Sequence, residues 1–316
     1  MLSLFRKNSF FNSLLLLFYA LILQIIPAIF GFKLHDTQGL QFGPFRPIVQ
    51  VLILFILAVF INRLVIENRI HRDIMLFPGL FFILFSVILP EFWNKPDIHI
   101  ANFFVIWALH ELFQIYKVSN PAVHIFNAAF LIGIASIICL PMLWYLLLIF
   151  IGITNLKKME LVHLIQILIG GVIPWFLWIT YHVWTGQTGP MIDEMISQVG
   201  FDLFSKVPDA ISLYKYIGFL FLILFLFVLY NEFRKKKHIQ AQKKIDILYL
   251  AIIISILAAL SHRPFTMEVM LFAAPMIGIF IGLLFSHFKN FNVPEMIHFL
   301  LFFTVLVMQV FYYFKF

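Results

Sequence analysis

AVHIFNAAFLIGIASIICLPMLWYLLLIFIGIT, residues 122–154, is an apolar run of 33 residues with one interruption. A helix needs about 20 residues to cross the hydrocarbon core of a bilayer, so the run is long for a single crossing. Leu140-Pro141 stands near its middle. Proline lacks the helical amide donor and clashes with the preceding turn. The sequence therefore predicts two short helices joined at Leu140-Pro141, the alternative being one long, kinked helix. The choice decides the fold, because one span fewer here moves every later loop to the other side of the membrane.

The rest of the chain is equally apolar. Of its 316 residues, 63% are hydrophobic and 12% charged, against about a quarter charged in an ordinary soluble domain. Only helices and closed barrels can span lipid. The apolar runs are continuous rather than alternating, so they read as helices. The expected spans are 12–31, 47–65, 75–91, 100–116, 122–139, 141–154, 161–182, 213–231, 246–261, 267–286 and 296–314. This predicts an all-α polytopic membrane protein of about 11 transmembrane helices, one transmembrane domain over 1–316. The first run is too long for a signal-peptide core and has no small-residue cleavage site, so it is expected to be retained. The single cysteine, Cys139, has no partner for an internal disulfide.

Charge tests the split at Pro141. With an inside amino terminus and eleven spans, fifteen of the 22 lysines and arginines fall on the cytoplasmic side, as the positive-inside rule requires. With one span at 122–154, the basic cluster from Arg234 to Lys244 would lie outside. The net charge of +7 is thus a topology signal; no nucleic-acid motif accompanies it. The expected orientation is multi-pass, with the amino terminus cytoplasmic and the carboxyl terminus outside.

Few residues could carry chemistry. The stretch Phe32-Lys-Leu-His-Asp-Thr-Gln-Gly-Leu-Gln-Phe-Gly-Pro-Phe-Arg46 follows the first span and holds the first acid, Asp36, with Lys33, His35 and Arg46. Asp36 is either an ordinary loop acid or a general base at the membrane surface. Lys33 and Arg46 are either interface anchors or grips for an anionic headgroup. Glu91, Asp97 and His99 belong to the same predicted face; Asp97 and His99 alternate along an expected extended segment, which makes a metal pair conceivable. His110 and Glu111 lie in the fourth span, where ionisable groups are costly, and Glu111 is expected to reach the interface or Lys117. Ser261-His262-Arg263-Pro264 ends the ninth span. Its arginine suits a phosphate, being always charged and able to bind bidentately, or it snorkels to the interface. The 183–212 segment is the one sizeable region outside the spans. Apolar residues at 192, 195, 196, 199 and 203 give it a helical face. It reads as an extracytoplasmic amphipathic helix on the membrane surface, or as a covering loop.

Three stretches together resemble a known family. They are the acid after the first span; Ser119-Asn-Pro-Ala-Val-His-Ile-Phe-Asn-Ala-Ala-Phe-Leu-Ile-Gly-Ile-Ala-Ser136 with Leu140-Pro-Met-Leu-Trp144; and His262-Arg-Pro-Phe-Thr-Met-Glu-Val-Met-Leu-Phe-Ala-Ala-Pro275. They look like parts of the GT-C membrane glycosyltransferases, and the whole chain is similar to a group of bacterial integral membrane proteins of this length. The resemblance implies a GT-C-like fold in a bacterial inner membrane. It implies transfer of a sugar from a polyprenyl-phosphate donor to an acceptor on the extracytoplasmic face. Asp36 would be the catalytic residue, deprotonating or positioning the acceptor. Arg263, with His262 or Lys33, would hold the lipid phosphate, and His35, Glu91, Asp97 and His99 would lie towards acceptor or substrate. No cofactor and no metal is implied. The partners would be the lipid bilayer and the polyprenyl-phosphate-linked sugar, with another membrane protein as an optional partner. The chain departs from the pattern in having His35 where a second acid is often found, and in lacking a large external domain. A transporter or lipid flippase, and a non-catalytic subunit of a membrane complex, are the alternative expectations.

Overall fold

The computed structural model describes residues 2–7, 9–30, 45–71, 73–93, 95–200, 210–235, 237–288 and 292–314. These residues form helices and no strand. The chain is an all-α polytopic membrane protein. Its α-helices are α1 (Phe10–Phe30), α2 (Arg46–Glu67), α3 (Phe77–Phe85), α4 (Pro96–Gln114), α5 (Ala122–Ile138), α6 (Tyr145–Leu156), α7 (Leu161–Trp184), α8 (Thr188–Gln198), α9 (Ala210–Val228), α10 (Tyr230–Arg234), α11 (Ile239–Leu260), α12 (Ala274–Ser286) and α13 (Asn292–Phe314). Short 3-10 turns precede or continue several of them, notably Leu140–Trp144 before α6 and Met267–Ala273 before α12.

Each expected span contains a helix, but the helices are unequal. Among the described residues, seven are long and apolar enough to cross a bilayer. Ala122–Ile138 and Leu140–Leu156 are shorter apolar helices. In place of the expected span at 75–91 stands α3, nine residues long. At 1.5 Å per residue it covers about 14 Å, under half of a hydrocarbon core of about 30 Å. The last helix to differ, α11, carries Lys243, Lys244 and Asp246 in its first turns, so only its later part is apolar.

The break in the 122–154 run falls at Cys139. Its backbone is extended, with φ −143° and ψ 101°. Pro141 then opens the 3-10 turn that leads into α6. A proline at the start of a turn loses no helical hydrogen bond, so the chain places the break where the imide costs least.

The chain packs as two units, Met1–His99 with Ala274–Phe316, and Ile100–Ala273. In the first unit α3 is buried along its whole length. It packs against α2 and α12. A Cβ at Gly79 would collide with the Ala58 carbonyl oxygen, and the Gly79 amide donates to Asn62 Oδ1 at 2.8 Å. Lipid tails are as apolar as these phenylalanines and leucines, so close packing rather than burial from water holds such helices together.

In the second unit α5 lies against α7. A Cβ on Gly170 would stand 2.7 Å from the Phe126 carbonyl oxygen, and one on Gly133 would stand 2.7 Å from that of Gly171. Small residues let the two backbones touch. The other side of α7 is bare: Leu168, Val172 and Phe176 are exposed. An exposed apolar helix face of this kind suits lipid or the apolar surface of another membrane protein.

Candidate functional site

Within the second unit, one end is tied together by polar contacts around an apolar cavity. The end of α5, the Leu140–Trp144 turn, the end of α8 and the end of α11 meet there. Gln198, the last residue of α8, makes two of the links. Its side-chain Oε1 accepts the Leu140 amide at 3.2 Å, and its carbonyl accepts the Arg263 amide at 2.9 Å. The Gly200 amide donates to the Ser261 carbonyl at 3.1 Å, and Val199 forms an antiparallel β-bridge with His262. The Trp144 indole donates to Ser261 Oγ at 3.0 Å, and that hydroxyl donates to the Ala258 carbonyl at 3.0 Å.

The cavity has a volume of about 650 Å³. Leu140, Pro141, Leu143, Trp144, Leu147, Met195, Ile196, Val199 and Ser261 line it. Ser261 supplies the hydroxyl among otherwise apolar or indole surfaces, so the space suits a hydrocarbon chain better than a polar metabolite.

Arg263 follows the cavity-lining Ser261 by two residues and is exposed. Its stem lies against Gly200: a Cβ there would be 3.1 Å from Arg263 Cδ. His262 is half-buried, its ring edge-on to Phe272 at 6.0 Å. Its Nδ1 lies 3.2 Å from the Pro264 carbonyl. A carbonyl only accepts, so Nδ1 carries the proton and, in the neutral ring, Nε2 is left as an acceptor. Burial pushes the His262 pKa below its ordinary value, and the Pro264 carbonyl and Glu268 oppose the shift. Arg263 is therefore the permanent cation of the pair and His262 is neutral near pH 7.

The other sequence-derived site residues are placed elsewhere or lie outside the described residues. Asp36, Lys33 and His35 are in the latter group. Glu91, Asp97 and His99 belong to the first unit. Asp97 Oδ2 lies 3.7 Å from Arg46 Nη2, and both side chains are largely buried. His99 is fully buried, edge-on to Phe82 at 5.8 Å. The extended segment expected at 97–99 is the first turn of α4, so these two side chains face different neighbours and do not form a metal pair. Among the described residues no cluster of three metal-ligating side chains occurs. Glu111 is paired not with Lys117 but with His124, Oε2 to Nδ1 at 2.7 Å.

The amphipathic segment forms α8 over 188–198, shorter than its apolar pattern. Val199 has left the helix for the β-bridge, and Leu203 lies outside the described residues. The residues that sequence reasoning missed are Gln198, Trp144 and Ser261. Their signal was faint: a glutamine ending an amphipathic run, and a tryptophan and a serine beside proline-marked breaks.

No protein-family model matches the chain, and no curated protein or solved structure matches it either.

Proposed function

We propose that the chain is a GT-C-like membrane glycosyltransferase that moves a sugar from a polyprenyl phosphate to an acceptor on the extracytoplasmic face. The observation that carries the reading is an apolar cavity whose lining includes Ser261, with an exposed arginine two residues further along the chain. A polyprenyl phosphate is a hydrocarbon chain ending in an anion. The cavity of about 650 Å³ accepts the proximal chain, and the Arg263 guanidinium takes the phosphate. His262 donates to the phosphate from Nε2 only once it is protonated, and Lys33 supplies a second charge. In this reading all eleven apolar segments belong to the membrane region, the amino terminus is cytoplasmic, and the membrane is a bacterial inner membrane.

Transfer forms a bond from an acceptor oxygen to the sugar's anomeric carbon. It breaks the bond from that carbon to the phosphate oxygen. Asp36 takes the acceptor's proton as general base. Arg263 stabilises the negative charge that builds on the departing lipid phosphate. Replacing Asp36 by Asn keeps the shape and removes the base. In vesicles supplied with a polyprenyl-phosphate-linked sugar, the variant should lose transfer and still bind lipid. Full transfer by the variant would remove Asp36 from the mechanism.

A transporter or flippase is the second reading, and one observation favours it. Gln50 in α2 and His99 in α4 are fully buried, and neither has a side-chain hydrogen-bond partner among the described residues. Polar groups of this kind inside membrane helices commonly mark a pathway. Uptake of a labelled lipid or sugar into vesicles, lost on Gln50→Leu, would select that reading.

A further inference from the structure

At its lysine-rich end, the second unit gathers four cations from three elements. Lys117 ends the 3-10 turn after α4 and is exposed. Lys157 follows α6, and its ammonium donates to the carbonyls of Val118 and, at 3.2 Å, Ser119. Lys243 and Lys244 lie in the first turns of α11. The Lys243 ammonium stands 5.8 Å from the Tyr116 ring centre, and that of Lys244 stands 5.5 Å from Phe113. Three of the four ammoniums are thus held against residues 113–119, a stretch to which Lys117 itself belongs, and the charge of Lys117 bears on Lys244.

The nearby acids of α4 and α11 are committed elsewhere. Glu111 is held by His124 at 2.7 Å. Asp246 accepts the Tyr230 hydroxyl at 2.7 Å and pairs with Arg234 at 3.2 Å. Among the described residues, no carboxylate pairs with Lys117, Lys157 or Lys243. Like charges held together by aromatic faces and carbonyls, with the nearby acids occupied, make a site of net positive charge. Beside it the surface turns apolar: Leu161, Val162 and Ile239 are exposed.

We propose that this end binds a phosphate-bearing anion, the headgroup of an acidic phospholipid, through Lys117 and Lys243, with Lys157 and Lys244 shaping the site. The lysines supply the charge and the exposed aliphatic residues meet the acyl chains. This goes beyond the donor cavity, which lies at the other end of α11, and does not depend on it.

The test is native mass spectrometry of the full chain released from nanodiscs of equal parts phosphatidylglycerol and phosphatidylcholine. The wild type should retain phosphatidylglycerol preferentially. At about 1 kcal/mol per lysine near an anionic surface, the Lys117→Gln/Lys243→Gln variant should lose roughly 25-fold in that preference. The control variant Lys7→Gln/Lys235→Gln removes the same charge outside the cluster and should lose little. Thermal melting checks that both variants fold. A parallel arm adds inorganic phosphate. Displacement of the lipid by phosphate in the wild type supports the same anion site filled from solution. Equal retention of both lipids with no phosphate effect would overturn the proposal, as would equal losses in the two variants.

Discussion

Replacing Gln198 by alanine probes how α8 is held over the cavity. Four interactions fix α8: the two backbone hydrogen bonds between 198–200 and 261–263, the side-chain bond from Leu140, and the buried Met191 in its first turn. With about 1 kcal/mol for each hydrogen bond and about 2 kcal/mol for the methionine, α8 is held by roughly 5 kcal/mol. Removing the Gln198 amide leaves the part-buried Leu140 N–H without its acceptor, a cost of about 1–2 kcal/mol. The population with α8 detached should rise roughly five- to thirtyfold. Hydrogen exchange through such openings rises by the same factor. The assay is exchange mass spectrometry on the protein in nanodiscs, following peptides that contain Gly200 and Arg263. Peptides from α5, whose own packing against α7 does not involve Gln198, should be unchanged. Unaltered exchange at Gly200 and Arg263, or an equal rise throughout α5, would refute the reasoning.

Two further outcomes follow from particular contacts. Gly170→Val places a branched side chain where a Cβ alone would be 2.7 Å from the Phe126 carbonyl; α5 and α7 must separate, at about 1–3 kcal/mol, and thermal melting should fall, while an unchanged midpoint would contradict the packing. His262 has a lowered pKa, so it stays neutral as pH falls to about 6.5 and gains charge only below that. The difference in lipid-phosphate binding between wild type and His262→Asn should therefore be flat from pH 8 to about 6.5 and should grow in favour of the wild type at lower pH. The sign for stability is opposite: the fold favours the neutral ring, so protonation below about 6.5 weakens it. A binding step above pH 7 that vanishes in His262→Asn would contradict the assignment.

Much of the architecture was legible because lipid imposes few options. Continuous apolar runs must be helices, and Pro141 must interrupt one; the structure places that break two residues earlier, at Cys139. The short length of α3 was not legible. Its residues are as apolar as those of a spanning helix, and only the glycine contacts at Gly79, Gly278 and Gly282 show that it serves as a core. The candidate site was half visible. Arg263 stood out as a cation at a helix break, whereas the cavity beside it depends on Gln198 and Trp144 meeting partners 58 and 117 positions away. Such distant hydrogen bonds leave no periodic trace in the chain. Glu111 shows the same limit: its sequence neighbour Lys117 was the natural partner, but α5 brings His124 closer.

The most direct measurement identifies the lipids that co-purify with the wild type and with Arg263→Ala. A charge-assisted hydrogen bond to phosphate contributes about 1.5–3 kcal/mol, so the substitution should reduce retained polyprenyl phosphate roughly 10- to 150-fold. The acidic phospholipid held at the lysine cluster should be unaffected. Finding no polyprenyl phosphate on the wild type, or the same amount on both proteins, would contradict the claim that Arg263 and its cavity form a lipid-phosphate site.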